Sequence, residues 1–156
     1  MILAIDPGNV ESAYCLIDTE TYKPIEFGKV GNAQMLMKLK ELEYDVLIVE
    51  MIASYGMAVG ASVFETCVWI GRFIQARKCP NFQYIYRKEE KMNLCNSMKA
   101  KDSNIRQALI DRFGDVGTKK EPGWFYGFKK DIWAAYAVGI TFLDKAKAWC
   151  EENLYK

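Results

Sequence analysis

Residues Met1-Ile-Leu-Ala-Ile-Asp-Pro-Gly8 decide how the rest of the chain is read. Met1 to Ile5 form an unbroken apolar run, the pattern of a strand buried on both faces of a sheet. Asp6 follows at the carboxyl end of that strand, and Pro7-Gly8 stop it and turn the chain. A carboxylate at the mouth of a central strand stands where α/β folds place their chemistry. What matters next is which other acids can reach Asp6.

Beyond the turn, Ser12 to Asp18 has the pattern of a second strand returning antiparallel, and Pro24 to Val30 that of a third, at an edge. Gly31-Asn32 opens a helix with Met35, Leu36, Leu39 and Leu42 at helical spacing. Val46-Leu47-Ile48-Val49 is a fourth, wholly apolar strand, and it too ends in an acid, Glu50. A loop rich in Gly, Ala and Met covers 51–60. Ser62-Val-Phe-Glu65 matches a capping box that opens a helix reaching about Lys78. Phe82 to Arg87 alternates as a fifth strand, followed by a polar segment, Lys88 to Leu94. A helix starting at Asp102 or Ser103 runs to Phe113. Gly114 to Gly127, with four glycines and Lys119-Lys120, has the composition of a mobile loop. The last helix spans about Lys129 to Glu152, and Ala134, Ala135, Ala137 and Gly139 give it a small-residue face for packing on a sheet. The expected architecture is α/β: a mixed five-stranded sheet, a three-stranded antiparallel meander plus two parallel strands, with helices on both faces.

The 156 residues suit one domain able to bury its own core. No apolar run approaches the roughly 18 residues of a membrane span. The start has the character of a strand rather than of a basic-then-apolar leader, so the cytosol is the expected compartment. The five cysteines form no C-x-x-C pair, and with no histidine in the chain neither a thiol–imidazole nucleophile nor a serine–histidine triad can be built. The cysteines are expected to be reduced and buried. Chemistry must then rest on carboxylates, lysines, hydroxyls or a hard metal. The net charge of +1 hides an uneven distribution: residues 1–71 hold four Lys/Arg against ten Asp/Glu, and residues 72–130 hold fourteen against six. That asymmetry points to an acidic site beside a surface for a polyanion.

Strand direction selects the acids. The first and fourth strands, joined through a crossover helix, are expected as parallel neighbours, so Asp6 and Glu50 emerge at the same sheet edge. Asp18 ends a strand running the other way, about 15–20 Å off at roughly 3.3 Å per residue, and is a turn residue. Glu65 has its capping role, and Asp111, Asp115, Asp144, Glu151 and Glu152 have the setting of solvated acids. Asp131 lies in the first turn of an apolar helix, after Lys129-Lys130. An acid there is an ordinary dipole contact, but if the helix packs beside the first strand, Asp131 faces Asp6 and Glu50. Three such carboxylates with oxygen-only donors suit Mg²⁺, with Mn²⁺ as substitute.

These residues carry a resemblance. Ile2-Leu-Ala-Ile-Asp-Pro-Gly8, Leu47-Ile-Val-Glu50 and Lys130-Asp-Ile-Trp-Ala-Ala-Tyr-Ala-Val-Gly-Ile-Thr141 resemble, in order, the three acidic motifs of the RuvC-type Holliday junction resolvases of the ribonuclease H-like superfamily. Lys101-Asp-Ser-Asn-Ile-Arg-Gln107 resembles that family's basic segment, and the likeness is nearest to short phage and prophage members. It implies a metal-dependent endonuclease that cuts four-way DNA junctions by two-metal hydrolysis, working as a homodimer, with Asp6, Glu50 and Asp131 as metal-binding catalytic residues. The expected phosphate contacts are Lys99, Lys101, Arg106, Lys119, Lys120, Lys129 and Lys130, each of which is otherwise a solvated cation. Tyr55 and Met57 either wedge into a branch point or pack. The helix Phe64 to Ile74, with Trp69 and Phe73, is the expected dimer surface. One departure is visible: bacterial members carry a second polar residue a turn after the last acid, and here that residue is Ala134. A non-catalytic junction-binding protein and a ribonuclease acting on RNA–DNA hybrids fit the same motifs. Actin- or sugar-kinase-like folds share the opening turn but need two lobes.

Overall fold

Alternation along the first strand splits the core in two. Ile2 and Ala4 point to one face of the sheet and Leu3 and Ile5 to the other, and all four are wholly buried. Two covered faces explain why the strand shows no polar alternation. The computed structural model describes residues 1–154 and 156. In chain order the elements are β1 (Ile2–Asp6), β2 (Glu11–Ile17), β3 (Pro24–Gly31), α1 (Asn32–Glu41), β4 (Val46–Met51), α2 (Ala61–Ala76), β5 (Asn81–Tyr86), α3 (Arg87–Cys95), α4 (Asp102–Phe113) and α5 (Lys130–Asn153).

The five strands lie in the order β3-β2-β1-β4-β5. β1, β2 and β3 form the antiparallel meander, and β4 and β5 add in parallel through the crossover helices. The expected mixed sheet is therefore the observed one. α1 and α2 cover the face of Leu3, Ile5 and Leu47. α5, with α3 and α4 beside it, covers the face of Ile2, Ala4 and Ile48.

α5 reaches the sheet closely because Gly139 has no side chain. A Cβ built there would stand 2.3 Å from Ile17 Cδ1 and 3.1 Å from Ala4 Cβ. The first contact is the flexible end of an isoleucine, so an alanine can be absorbed, and its helix propensity offsets the crowding by up to about 1 kcal/mol. A leucine cannot be accommodated. Gly139→Ala should unfold within about 1 kcal/mol of wild type in urea, whereas Gly139→Leu should cost about 1–3 kcal/mol through overpacking.

Five expectations are corrected. Lys88 to Leu94, expected as a polar segment with no assigned element, forms most of helix α3. The capping box at Ser62 does not form: Gly60 is the N-cap of α2 and offers no side chain. Glu65 instead accepts a hydrogen bond from Asn9 Nδ2 at 3.3 Å. The 114–127 segment is anchored, since Phe125 is wholly buried and Trp124 stacks on Phe113 while donating to Tyr136 Oη at 3.1 Å. Asp144 is no solvated acid: both its oxygens take Arg112 at 2.7 Å. Of the cysteines, all free, only Cys15 and Cys79 are buried, and Cys150 is exposed.

Candidate active site

Register places the first two acids. In the parallel β1–β4 pair Ile5 stands opposite Val49, so Asp6 and Glu50 emerge side by side at the carboxyl edge of the sheet. Both belong to the face that α5 covers, because Ala4 and Ile48, two residues before them, lie in that core. The turn after Asp6 is fixed by a buried polar relay. Gly8 N–H donates to Ser12 Oγ at 3.2 Å, Ser12 Oγ–H to Asn32 Oδ1 at 2.7 Å, and Asn32 Nδ2 to the Gly8 carbonyl at 2.9 Å. Gly8 is required there, because a Cβ would stand 2.3 Å from the Glu11 carbonyl oxygen.

The first turn of α5 brings Asp131 over this edge, beside Lys130 and Ala134. With Asp6, Glu50, Arg87, Asp102 and Arg106 these residues line a cleft of about 540 Å³. Burial pushes the Asp6 carboxyl up to about 8, helped by Glu50 and then Asp131. Glu50 is likewise pushed up to about 8, by burial and by Glu90. Two half-buried like charges side by side disfavour ionisation of both, and a cation between them offsets that cost.

Three residues missed in the sequence complete the electrostatics. Arg87, the first residue of α3, lines the cleft and counters the shifts of both Asp6 and Glu50. It is held by Glu90 Oε2 at 3.1 Å and by Asp102. Glu90 is wholly buried, its other oxygen has no partner among the described residues, and burial pushes it up to about 7 against the pull of Arg87. A signal for Arg87 existed: β5 runs parallel to β4, so the residue after β5 must emerge at the same edge as Glu50. The third, Lys29 on β3, gave none, since a lysine on an edge strand has the pattern of a solvated one. Its Nζ lies 2.6 Å from Asp131 Oδ2.

The sequence thus named a pair that the fold brings together, Asp6 and Glu50, and a third acid, Asp131, that shares their cleft but is ion-paired. The donors suit a hard divalent cation at the Asp6–Glu50 pair, with oxygen ligands only and repulsion that such an ion removes. Among the described residues no three acidic or cysteine side chains converge tightly enough to hold one ion. Arg106 and Lys130 are exposed in the cleft lining, Lys99 and Lys101 in the adjoining hollow beside Arg87 and Asp102, and Lys129 in a hollow with Lys29 and Asp131; Arg106 lies over the Trp133 ring at 4.9 Å. Lys119 and Lys120 are exposed in the loop before α5. Tyr55 and Met57 do not pack, being 68% and 78% exposed.

The sequence matches no known family model and no curated protein. Its fold does have solved counterparts. Thermus thermophilus RuvC superposes with a TM-score of 0.68 at 15% identity, covering 94% of this chain and 95% of that one. The fold is RuvC-like. The same enzyme in complex with Holliday junction substrate gives a TM-score of 0.69 at 14% identity, over 94% of both chains. The yeast mitochondrial Holliday junction resolvase gives 0.59 at 13% identity, over 97% of this chain and 85% of that one. At such identities the likeness is one of fold, and it covers nearly the whole of the chain. Within this RuvC-like frame Asp6, Glu50 and Asp131 come from β1, β4 and the start of α5, the elements that carried the sequence resemblance. No helix among the described residues is long and apolar enough to cross a membrane.

Proposed function

We propose that this protein is a divalent-cation-dependent endonuclease that cuts branched DNA, with the four-way Holliday junction as its substrate. The observation that carries the reading is the Asp6–Glu50 pair, two half-buried carboxyls side by side at the carboxyl edge of a RuvC-like sheet, both pushed up to about 8. Mg²⁺, or Mn²⁺ in its place, supplies Lewis-acid polarisation of a phosphate and a water acidic enough to deprotonate near neutral pH. Asp6 and Glu50 would hold that ion, with Asp131 lining the same cleft. Arg87, fixed by Glu90 and Asp102, presents a guanidinium to the phosphate as negative charge builds on its oxygens.

The flanking cations suit the remainder of the substrate. Arg106, Lys99, Lys101, Lys129 and Lys130, with Lys119 and Lys120 in the neighbouring loop, fit backbone phosphates, which fix position without reading sequence. Tyr55 and Met57 stand free after Glu50, as side chains that stack on or wedge between bases at a branch point must. Two symmetric cuts in a junction need two sites, which favours a homodimer. On α2, Phe73 is buried in the core, and the exposed apolar residues are Phe64 and Val68, each 63% exposed, so these mark the surface for a second copy.

A non-catalytic junction-binding role gains support from the Lys29–Asp131 ion pair and from the donor-free Ala134. Cleavage assays with four-way junction, flap, linear duplex and RNA–DNA hybrid in Mg²⁺ separate the readings. The nuclease reading expects paired nicks in the junction, none in EDTA and little on duplex. Tight junction binding with no cutting in Mg²⁺ or Mn²⁺ would favour the binding role, and cutting confined to the hybrid would mean a ribonuclease.

A further inference from the structure

One row of side chains crosses the sheet beneath the amino end of α5. Asp6 on β1 pairs with Ala13 on β2, and Ala13 pairs with Lys29 on β3, so all three point to the α5 face. Two strand spacings, about 10 Å, separate Asp6 from Lys29 at the backbone. Between them Ala13 contributes only a methyl group, which lets the long lysine side chain lean over it. Lys29 Nζ thereby reaches Asp131 Oδ2 at 2.6 Å, and it also lies 3.6 Å from Glu11 Oε2. One turn along α5 from Asp131, the cleft wall is Ala134, which has no donor atom.

A second divalent ion beside Asp131 would need further oxygen ligands and would have to displace an ammonium already at hydrogen-bond distance. Divalent ions in such sites are held by several carboxylate oxygens plus substrate phosphate, and here the two nearest carboxylates, Asp131 and Glu11, are already engaged by the Lys29 ammonium. A lysine ammonium is instead a compact point charge with three donors that needs no ligand set. We propose that this site takes one divalent cation, at Asp6 and Glu50, and that Lys29, held by Asp131, stands as the second positive charge facing the substrate phosphate. The assignment rests on the nuclease reading for the phosphate. It departs from the two-ion mechanism implied by the sequence resemblance.

The test counts ions independently of cleavage. Mn²⁺ is titrated into the full chain and bound ion is measured by electron paramagnetic resonance, in wild type, Lys29→Met and the double variant Lys29→Met/Ala134→Asp. Lys29 is 43% exposed on an edge strand, so its replacement leaves the core untouched. Wild type and Lys29→Met should each saturate at one Mn²⁺ per chain, and the double variant at two. Junction cleavage by Lys29→Met should fall on the order of a hundredfold, as for loss of one preorganised group at a developing charge. Two ions in wild type, one in the double variant, or full cleavage by Lys29→Met would each overturn the proposal. A wild type that binds one Mn²⁺ and cuts nothing overturns the nuclease reading and leaves the one-ion count standing. A wild type that cuts with two bound ions overturns the one-ion site and leaves the nuclease intact.

Discussion

Asp6→Asn and Glu50→Gln should each reduce Mg²⁺-dependent junction cleavage on the order of a thousandfold, and each should leave the metal-free protein more stable than wild type at pH 8. Both replacements keep the side-chain shape and remove the negative charge that a cation needs. The stability half follows from linkage. An unfolded carboxyl titrates near 4, whereas in the fold burial and the charge of Glu50 push Asp6 up to about 8, and burial and the charge of Glu90 do the same to Glu50. Between those values the folded chain binds more protons than the unfolded chain, so stability falls as pH rises through that window. Metal-free wild type should therefore melt highest near pH 5 and lower at pH 8. Each variant removes one of the two raised acids and flattens the slope, and Glu50→Gln also relieves the repulsion on Asp6. Mg²⁺ at pH 8 should recover the wild-type melting temperature and leave the variants nearly unmoved. Melting curves at pH 5 and pH 8, in EDTA and in Mg²⁺, read all of this. A flat wild-type profile that ignores Mg²⁺ would mean that the two acids do not face each other.

The features legible in the sequence were those written in one strand or one helix. Met1 to Ile5 showed a doubly buried strand because every side chain there is apolar, and parallel neighbours then fixed where Asp6 and Glu50 meet. The strand order followed from hairpin and crossover connectivity. What escaped was written across elements. Helix α3 gave no amphipathic signal because its one buried residue is a glutamate, Glu90, whose partner Arg87 lies on the same turn. The Ser62–Glu65 pattern satisfied a local rule, yet Gly60 took the cap position and Glu65 turned to Asn9. Gly114 to Gly127 had the composition of a free loop, and the aromatic cluster around Phe125 and Tyr136 that pins it draws on residues from four separate places. Lys29 is the sharpest case. Its role depends on Ala13 being small and on α5 crossing above, and neither is visible from β3 alone.

Arg87→Ala should be the most destabilising single change near the cleft. Glu90 has no solvent exposure, and among the described residues its hydrogen-bonded partner is Arg87 alone. Removing the guanidinium strands a buried carboxylate, a change that typically costs about 3–5 kcal/mol. The penalty should depend on pH. Burial already holds Glu90 up to about 7 against the opposing pull of Arg87, and without that pull it rises further. A carboxyl whose folded pKa is raised loses stability as pH climbs from its unfolded value towards the folded one. The variant should thus be close to wild type at pH 5, where Glu90 stays protonated in both, and fall well below it at pH 8. Arg87→Met/Glu90→Leu removes both charges at similar volume and should regain most of the loss in urea unfolding. Cleavage separates the two duties of this arginine. If Arg87 serves only to neutralise Glu90, the double variant recovers activity along with stability. If it also faces the phosphate, as its place in the cleft beside Asp6 and Glu50 argues, the double variant folds and still fails to cut.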